Sequence, residues 1–117
     1  MTLQIYVTVG TEEKRKFLTD TFGIPPERIF SSRTTDFAKQ ILQATNGKGI
    51  DVILNSLVGD LLDESWRIVA DGGCLVEIGK KDIVDRNYLS MEPFDRNCSF
   101  KAADFSHKQI SDALIAR

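Results

Sequence analysis

One stretch of the sequence, residues 51–80, constrains the fold more than any other. Its first apolar run is short enough for a strand and ends at Asn55 and Ser56. A helical pattern follows, and a second short apolar run ends at Gly79 and Lys80. This order predicts a strand–helix–strand unit, in which the crossover helix makes the two strands parallel. Because ligands bind beyond the carboxyl ends of parallel strands, these four residues are expected near a ligand.

The helix of this unit is delimited by an acidic residue and a glycine. Asp60 is placed to cap the amino-terminal end of the helix. Leu62, Trp66 and Val69 fall on one face, which predicts that this face is buried. Gly72 is expected just past the end of the helix, where a left-handed residue is common.

The rest of the sequence repeats the alternation of strand and helix. Helices are also indicated by Thr11 as an N-cap and Gly23 as a stop, and by a stripe of Phe37, Ile41 and Ala44. The pattern predicts an α/β fold with a doubly wound parallel sheet. The further strands are expected over 5–9, 28–30 and 98–104, the further helices over 11–22, 36–45 and 107–116, and a long excursion over 81–97.

Composition excludes several classes of protein. A chain of 117 residues with 42% hydrophobic content fits one modest domain, and a net charge of −2 argues against a nucleic-acid-binding surface. No apolar run approaches the roughly 20 residues needed to cross a bilayer, and no secretory signal is evident, so a cytoplasmic location is expected. Cys74 and Cys98 have no partner at metal-ligand spacing, so no metal site is predicted.

Two cationic residues follow predicted strands. Lys14 lies in the first turn of the helix that starts after Gly10 and Thr11, where a cation opposes the helix dipole. A phosphate bound there would be held by free amide groups and by the ammonium. The alternative is a solvated lysine paired with glutamates of its own helix. Arg33 also follows a strand, where it either meets a nucleotide or is an ordinary exposed arginine.

Four segments, residues 6–15, 31–33, 47–57 and 77–80, resemble the enoyl reductase domain of reducing polyketide synthases, above all the fungal multidomain kind. These domains belong to the medium-chain dehydrogenase/reductase superfamily, as does the enoyl reductase of animal fatty acid synthase. The resemblance implies reduction of an α,β-unsaturated thioester carried on acyl carrier protein. In that reaction a hydride passes from NADPH to the β-carbon, and a proton then reaches the α-carbon.

The resemblance also implies a site for the adenosine end of NADPH. Gly10, Thr11 and Lys14 match the place where NADP-dependent members hold the adenosine 2′-phosphate. Arg33 matches a second contact to that phosphate. Two cations around a dianion would explain a preference for NADPH over NADH.

Other residues match the nicotinamide end of the cofactor and the reacting centre. Asn55, Ser56 and Leu57 match the segment that passes the nicotinamide ribose. Gly79 lets the backbone approach the cofactor. Two residues match the proton donors that the family suggests: Lys80 and Asp104.

One departure from the family is large. No G-x-G-x-x-G loop occurs, and the glycine pair at 72–73 precedes a strand. In the family, the first strand and its glycine-rich loop lie upstream of Ile5. The chain, 1–117, is therefore expected to be a partial NADP-binding Rossmann-like domain that is inactive alone. Because the missing strand is central in the order 3-2-1-4-5-6, we expect the strands at 5–9 and 52–55 to pair directly in a five-stranded sheet.

Two further hypotheses follow from the predicted fold. The strand at 98–104 would be a sheet edge, and in relatives this edge pairs across a two-fold axis, which favours a homodimer. The chain is alternatively a non-catalytic α/β scaffold or dimerisation module without a working cofactor site. A methyltransferase-like domain is disfavoured, because the strand at 5–9 is not followed by an acidic residue that would bind adenosine hydroxyls.

Overall fold

A computed structural model describes residues 3–104, which fall into two compact units. The first unit extends to Gly47 and the second begins at Lys48. Every strand pairing in both units is parallel, which confirms the predicted Rossmann-like α/β class. In this part of the chain, no helix has the length and apolar character required to cross a membrane. The helix predicted over 107–116 lies outside the described residues.

The first unit is a two-stranded parallel sheet with its connecting and following helices. Strand β1 (Val7–Val9) leads into helix α1 (Glu12–Phe22). A 3-10 turn (Pro26–Arg28) then precedes strand β2 (Ile29–Ser31), and helix α2 (Asp36–Ala44) follows. The two strands pair in register, so their carboxyl ends lie at the same edge.

Both ends of α1 are set as the sequence predicts. The Thr11 hydroxyl accepts a hydrogen bond from the Lys14 amide at 3.1 Å, which satisfies a donor of the first turn. Gly23 adopts a left-handed φ of 68°, and its amide donates to the Thr19 carbonyl at 3.0 Å. The cap and the stop therefore fix α1 locally.

Helix α2 packs through its first two turns. Phe37 and Ile41 are buried, as the predicted stripe requires. Ala44 was expected on the same stripe, but it lies in the last turn and is exposed. Ala38 is buried in its place, so the packed face is shifted toward the start of the helix.

The second unit is a three-stranded parallel sheet in the order β3-β4-β5, with one main crossover helix and two short ones. Its elements are β3 (Ile50–Asn55), α3 (Asp60–Arg67), β4 (Val69–Glu77), α4 (Lys81–Val84), α5 (Glu92–Asp95) and β5 (Ser99–Ala102). The core of the unit is formed by Leu62, Trp66, Val69, Leu75 and Cys98.

The predicted N-cap of α3 is wrong by one residue. Gly59 occupies the cap position at φ 59° and ψ −130°, and Asp60 is the first helical residue. The Gly59 amide instead donates to the carboxylate of Asp82, 3.1 Å away on α4. No side chain caps the first turn of the helix, and glycine permits the positive φ.

The predicted end of α3 is also wrong. The helix stops at Arg67, and Val69 is buried as the first residue of β4. The Ile68 carbonyl accepts a hydrogen bond from the Ile50 amide at 3.0 Å, and Val69 pairs with Ile50 in the sheet. Ile68 and Val69 are both β-branched, which favours a strand over a helix at this point. Gly72, expected past the helix, lies within β4 at φ 73° and donates to the Arg96 carbonyl at 2.9 Å.

The predicted five-stranded sheet is not formed by the described strands. β1 and β2 make one sheet, and β3, β4 and β5 make another. The described ladder of β1 is formed with β2, and that of β3 is formed with β4. Each strand thus satisfies backbone groups within its own unit. The pairing of β1 with β3 is therefore not recovered.

Candidate functional site

The first unit brings predicted site residues together at the exits of β1 and β2. Gly10 directly follows β1, and Arg33 comes two residues after β2. The Arg33 side chain crosses between the strand ends, and its Nε donates to the Gly10 carbonyl at 2.6 Å. The sequence separation of this contact is 23 residues, so it depends on the parallel pairing of the two strands.

Arg33 uses one of its guanidinium donors for this contact. Its backbone amide donates to the Ser31 hydroxyl at 3.1 Å, which fixes the turn after β2. Within residues 3–104, no carboxylate forms an ion pair with the exposed guanidinium. An arginine has five N–H donors, so four remain for a ligand.

Lys14 is exposed in the first turn of α1, where its amide is held by Thr11. The intrahelical ion pair predicted as the alternative forms at another residue, because Arg15 Nε lies 3.5 Å from Glu12 Oε1. Among the described residues, Lys14 itself has no carboxylate partner. Its ammonium therefore adds positive charge to the amino-terminal end of the helix.

Lys14 and Arg33 are the two exposed cations that the sequence predicts near these strand exits. The first turn of α1 also carries Glu12 and Glu13, and Glu12 is paired with Arg15, whose Nη1 donates to the Ile29 carbonyl at 2.7 Å. A doubly charged anion at this helix amino terminus would be favoured by the helix dipole and by the two exposed cations.

The second unit joins the exits of β3 and β4 through a buried carboxylate. Asn55 ends β3, and its Nδ2 donates to Glu77 Oε2 at 2.6 Å and to the Leu57 carbonyl at 2.9 Å. Glu77 Oε1 accepts from the Gly79 amide at 2.8 Å. One acid thus contacts both the segment that the resemblance places along the nicotinamide ribose and the glycine that it places near the cofactor.

Gly79 lies close to other residues of this unit. A Cβ on Gly79 would lie 2.9 Å from Glu77 Oε1 and 3.6 Å from the Ser56 carbonyl oxygen. The first distance is shorter than a carbon–oxygen contact tolerates, so a side chain at this position would displace the Glu77 carboxylate. Ser56 is itself exposed beside this turn.

Lys80 and Asp104, the two predicted proton donors, contact each other. Lys80 Nζ lies 2.5 Å from Asp104 Oδ2, across 24 residues of sequence. The contact follows from the sheet, because Glu77 at the end of β4 pairs with Ala102 at the end of β5. The Lys80 side chain is 57% exposed and the Asp104 side chain 28%. The ammonium can therefore exchange protons with solvent while the carboxylate holds it in place.

Sequence reasoning did not assign a role to Glu77, which is only 4% exposed. The sequence does contain a signal for such a role, because Glu77 is an acid inside the apolar run that ends at Ile78. A charged residue in a buried strand is rare unless it is hydrogen-bonded, and it therefore indicates a specific partner.

The start of α3 differs from the start of α1. Burial raises the pKa of Asp63, and the nearby carboxylates of Asp60, Asp82 and Glu64 raise it further. A raised carboxyl pKa indicates negative surroundings. This helix terminus therefore disfavours an anion, in contrast to the cationic terminus of α1.

Residues 1–114 match the zinc-binding dehydrogenase family. Zinc sites in proteins are built from three or four Cys, His, Asp or Glu ligands. Within residues 3–104, no group of three such residues is arranged to hold a metal ion. The described residues therefore do not fit a zinc site.

Curated relatives are polyketide synthases. A highly reducing polyketide synthase from Penicillium crustosum is 60% identical over 111 residues, covering 95% of this chain and 5% of that protein. A second, from Arthrinium phaeospermum, is 61% identical over 106 residues, covering 91% of this chain and 4% of that protein. The chain therefore spans about one twentieth of the relatives that it matches.

A solved structure supports the same relationship. The nucleotide-binding subdomain of the enoyl reductase domain of PpsC from Mycobacterium tuberculosis superposes with a TM-score of 0.78 at 37% identity. The match covers 88% of this chain and 56% of that one. The chain belongs to the zinc-binding dehydrogenase family, and within it the chain is related to the enoyl reductase domains of reducing polyketide synthases.

Proposed function

We propose that the chain is the NADPH-binding part of an enoyl reductase that reduces the α,β-double bond of an enoyl thioester held on acyl carrier protein during polyketide synthesis. The observation that carries the proposal is the pair of cations at the exits of β1 and β2. Arg33 is anchored on Gly10, and Lys14 has no carboxylate partner in the described part of the chain. The proposal includes a cytoplasmic location for the enzyme.

Lys14 and Arg33 would hold the adenosine 2′-phosphate, with Gly10 and Thr11 forming the turn beside it. The anchored Arg33 keeps a planar donor fork for phosphate oxygens, and Lys14 adds a point charge at the helix terminus. NADH has a hydroxyl at this position and gains neither charged contact. The arrangement therefore favours NADPH over NADH.

Asn55, Ser56 and Leu57 would line the nicotinamide ribose, and Gly79 would let the backbone approach the cofactor. The bound cofactor supplies the hydride for the β-carbon of the substrate. The residues of the chain orient the nicotinamide end, because the two backbone segments are fixed to each other through Glu77. Such positioning brings reacting groups together before the reaction starts.

Lys80 and Asp104 would supply the proton for the α-carbon. The Lys80 ammonium holds this proton at Nζ and stabilises the negative charge of the enolate that follows hydride addition. The Asp104 carboxylate orients the ammonium. After donation, the neutral amine takes a proton from solvent, which reaches its exposed side chain.

A titration of the full chain with NADPH and with NADH tests the cofactor proposal. We expect NADPH to bind about tenfold more tightly than NADH, and Lys14→Ala or Arg33→Ala to remove most of that difference. The reason is that a hydrogen bond to a charged group contributes about 1.5–3 kcal/mol, and about 1.4 kcal/mol corresponds to a tenfold change in affinity. Affinity for NADH should change little. Isothermal titration calorimetry measures all of these constants.

The matched control is Lys16→Ala, which removes the same charge from an exposed position on the same helix. It should bind NADPH almost as the unmodified chain does. Binding of neither nucleotide would leave only the alternative, a non-catalytic scaffold or dimerisation module. In either case β5, at the end of the sheet order in the described residues, is the edge along which two copies would pair as a homodimer.

A further inference from the structure

Glu77 is a buried acid whose partners are all neutral. It is 4% exposed at the end of β4, and among residues 3–104 its carboxylate forms no ion pair. Each oxygen accepts one hydrogen bond from an amide group: Oε2 from Asn55 Nδ2 at 2.6 Å and Oε1 from the Gly79 amide at 2.8 Å. Burying a charge is unfavourable, so an acid at this position indicates that both of its acceptor oxygens are needed.

The two hydrogen bonds explain why a carboxylate stands here. A glutamine offers one acceptor oxygen and places an NH₂ group where the second acceptor is needed, so it would face either Asn55 or Gly79 with a donor. Only Glu or Asp presents two acceptors, and the shorter Asp reaches less far. The site therefore selects an acid because two donors converge on it.

Both donors belong to segments proposed to contact the nicotinamide end of NADPH. The Asn55 amide uses both hydrogens, on Glu77 and on the Leu57 carbonyl, which fixes the direction of its side chain and the path of the chain after β3. The Gly79 amide is fixed beside it, directly before Lys80. A second contact ties the same two segments, because the Ile78 amide donates to the Asn55 carbonyl at 2.9 Å.

We propose that Glu77 is a positioning residue for the nicotinamide end of the cofactor, acting through Asn55 and Gly79 rather than by contact. This inference rests on the proposed function. Glu77 is too buried to touch a ligand, but its loss would release the turn after β3 from the turn after β4. Binding of the adenosine end should not depend on it.

Two ligands separate this role from general stabilisation. NADPH contains both ends of the cofactor, whereas adenosine 2′,5′-bisphosphate contains only the adenosine end. In the full chain, we expect Glu77→Gln to weaken NADPH about fivefold to tenfold and to leave the affinity for the bisphosphate within about twofold. In a ¹H–¹⁵N spectrum, the Gly79 amide signal should also move, because its acceptor loses its charge. Glu27→Gln, at an exposed acid, is the control and should change neither affinity.

A second variant covers the case in which Glu77→Gln does not fold, as judged by circular dichroism. Glu77→Asp keeps the acid but shortens the side chain by one methylene, so its carboxylate reaches less far toward the two donors. It should produce the same selective loss for NADPH. Unchanged NADPH affinity in the folded variant would overturn the role of Glu77 but not the proposed function. A parallel loss for both ligands would indicate only stabilisation and would also overturn it. An unmodified chain that binds neither ligand would instead overturn the proposed function.

Discussion

Replacing Lys80 by methionine in the complete polyketide synthase is expected to lower kcat for enoyl reduction about 100-fold, the lower end of the usual contribution of a general acid. Methionine keeps an unbranched apolar stem but cannot hold a proton. The substitution also leaves the Asp104 carboxylate without the Lys80 ammonium, which lies 2.5 Å from it. The rate is measured as NADPH consumption with a saturating short-chain enoyl thioester.

The control for this prediction is Lys101→Met, which removes an exposed lysine from the neighbouring strand β5. It should leave kcat within about twofold. A normal kcat for Lys80→Met would show that another group supplies the proton. A change confined to KM would assign Lys80 to substrate binding instead, because a group used only in the transition state alters kcat.

Replacing Trp66 by alanine is expected to reduce the free energy of unfolding of the second unit by about 3–5 kcal/mol. Trp66 is fully buried, and its ring centroid lies 4.9 Å from that of Phe94 and 5.5 Å from that of Phe100. Its Nε1 donates to the Ser90 carbonyl at 2.8 Å, so the change also leaves an acceptor without its donor. Because whole domains are stable by only about 5–15 kcal/mol, this loss is a large fraction.

Urea denaturation followed by circular dichroism measures this effect, since Trp66 is the only tryptophan and its fluorescence is lost in the variant. Tyr88→Ala is the matched control, because that aromatic side chain is 97% exposed. It should change stability by less than about 0.5 kcal/mol. A loss below about 1 kcal/mol for Trp66→Ala would contradict the described core.

Local signals in the sequence predicted much of the fold. The cap at Thr11 and the stop at Gly23 were predicted because both act through neighbouring backbone groups. The contact of Lys80 with Asp104 is consistent with the predicted parallel strands, since residues that follow neighbouring strands meet at one edge. The α/β alternation was confirmed for the same reason, because short apolar runs and capped helices alternate along the chain.

Features that depend on distant residues were not predicted. The start of α3 is held by a hydrogen bond from the Gly59 amide to Asp82, 23 residues away, whereas the local pattern favours a cap at Asp60. The end of α3 was extended to include Val69 because helical spacing and strand burial give the same apolar pattern there. The role of Glu77 depends on two donors that meet only in the folded sheet.

The central claim is that Lys14 and Arg33 bind the phosphate on the adenosine 2′-oxygen. The most direct test compares the affinity of the full chain for adenosine 2′,5′-bisphosphate with its affinity for adenosine 5′-monophosphate, which lacks only that phosphate. We predict about tenfold tighter binding of the bisphosphate, with a difference that shrinks at high salt because both cations are exposed. Equal affinities at low salt would contradict the claim.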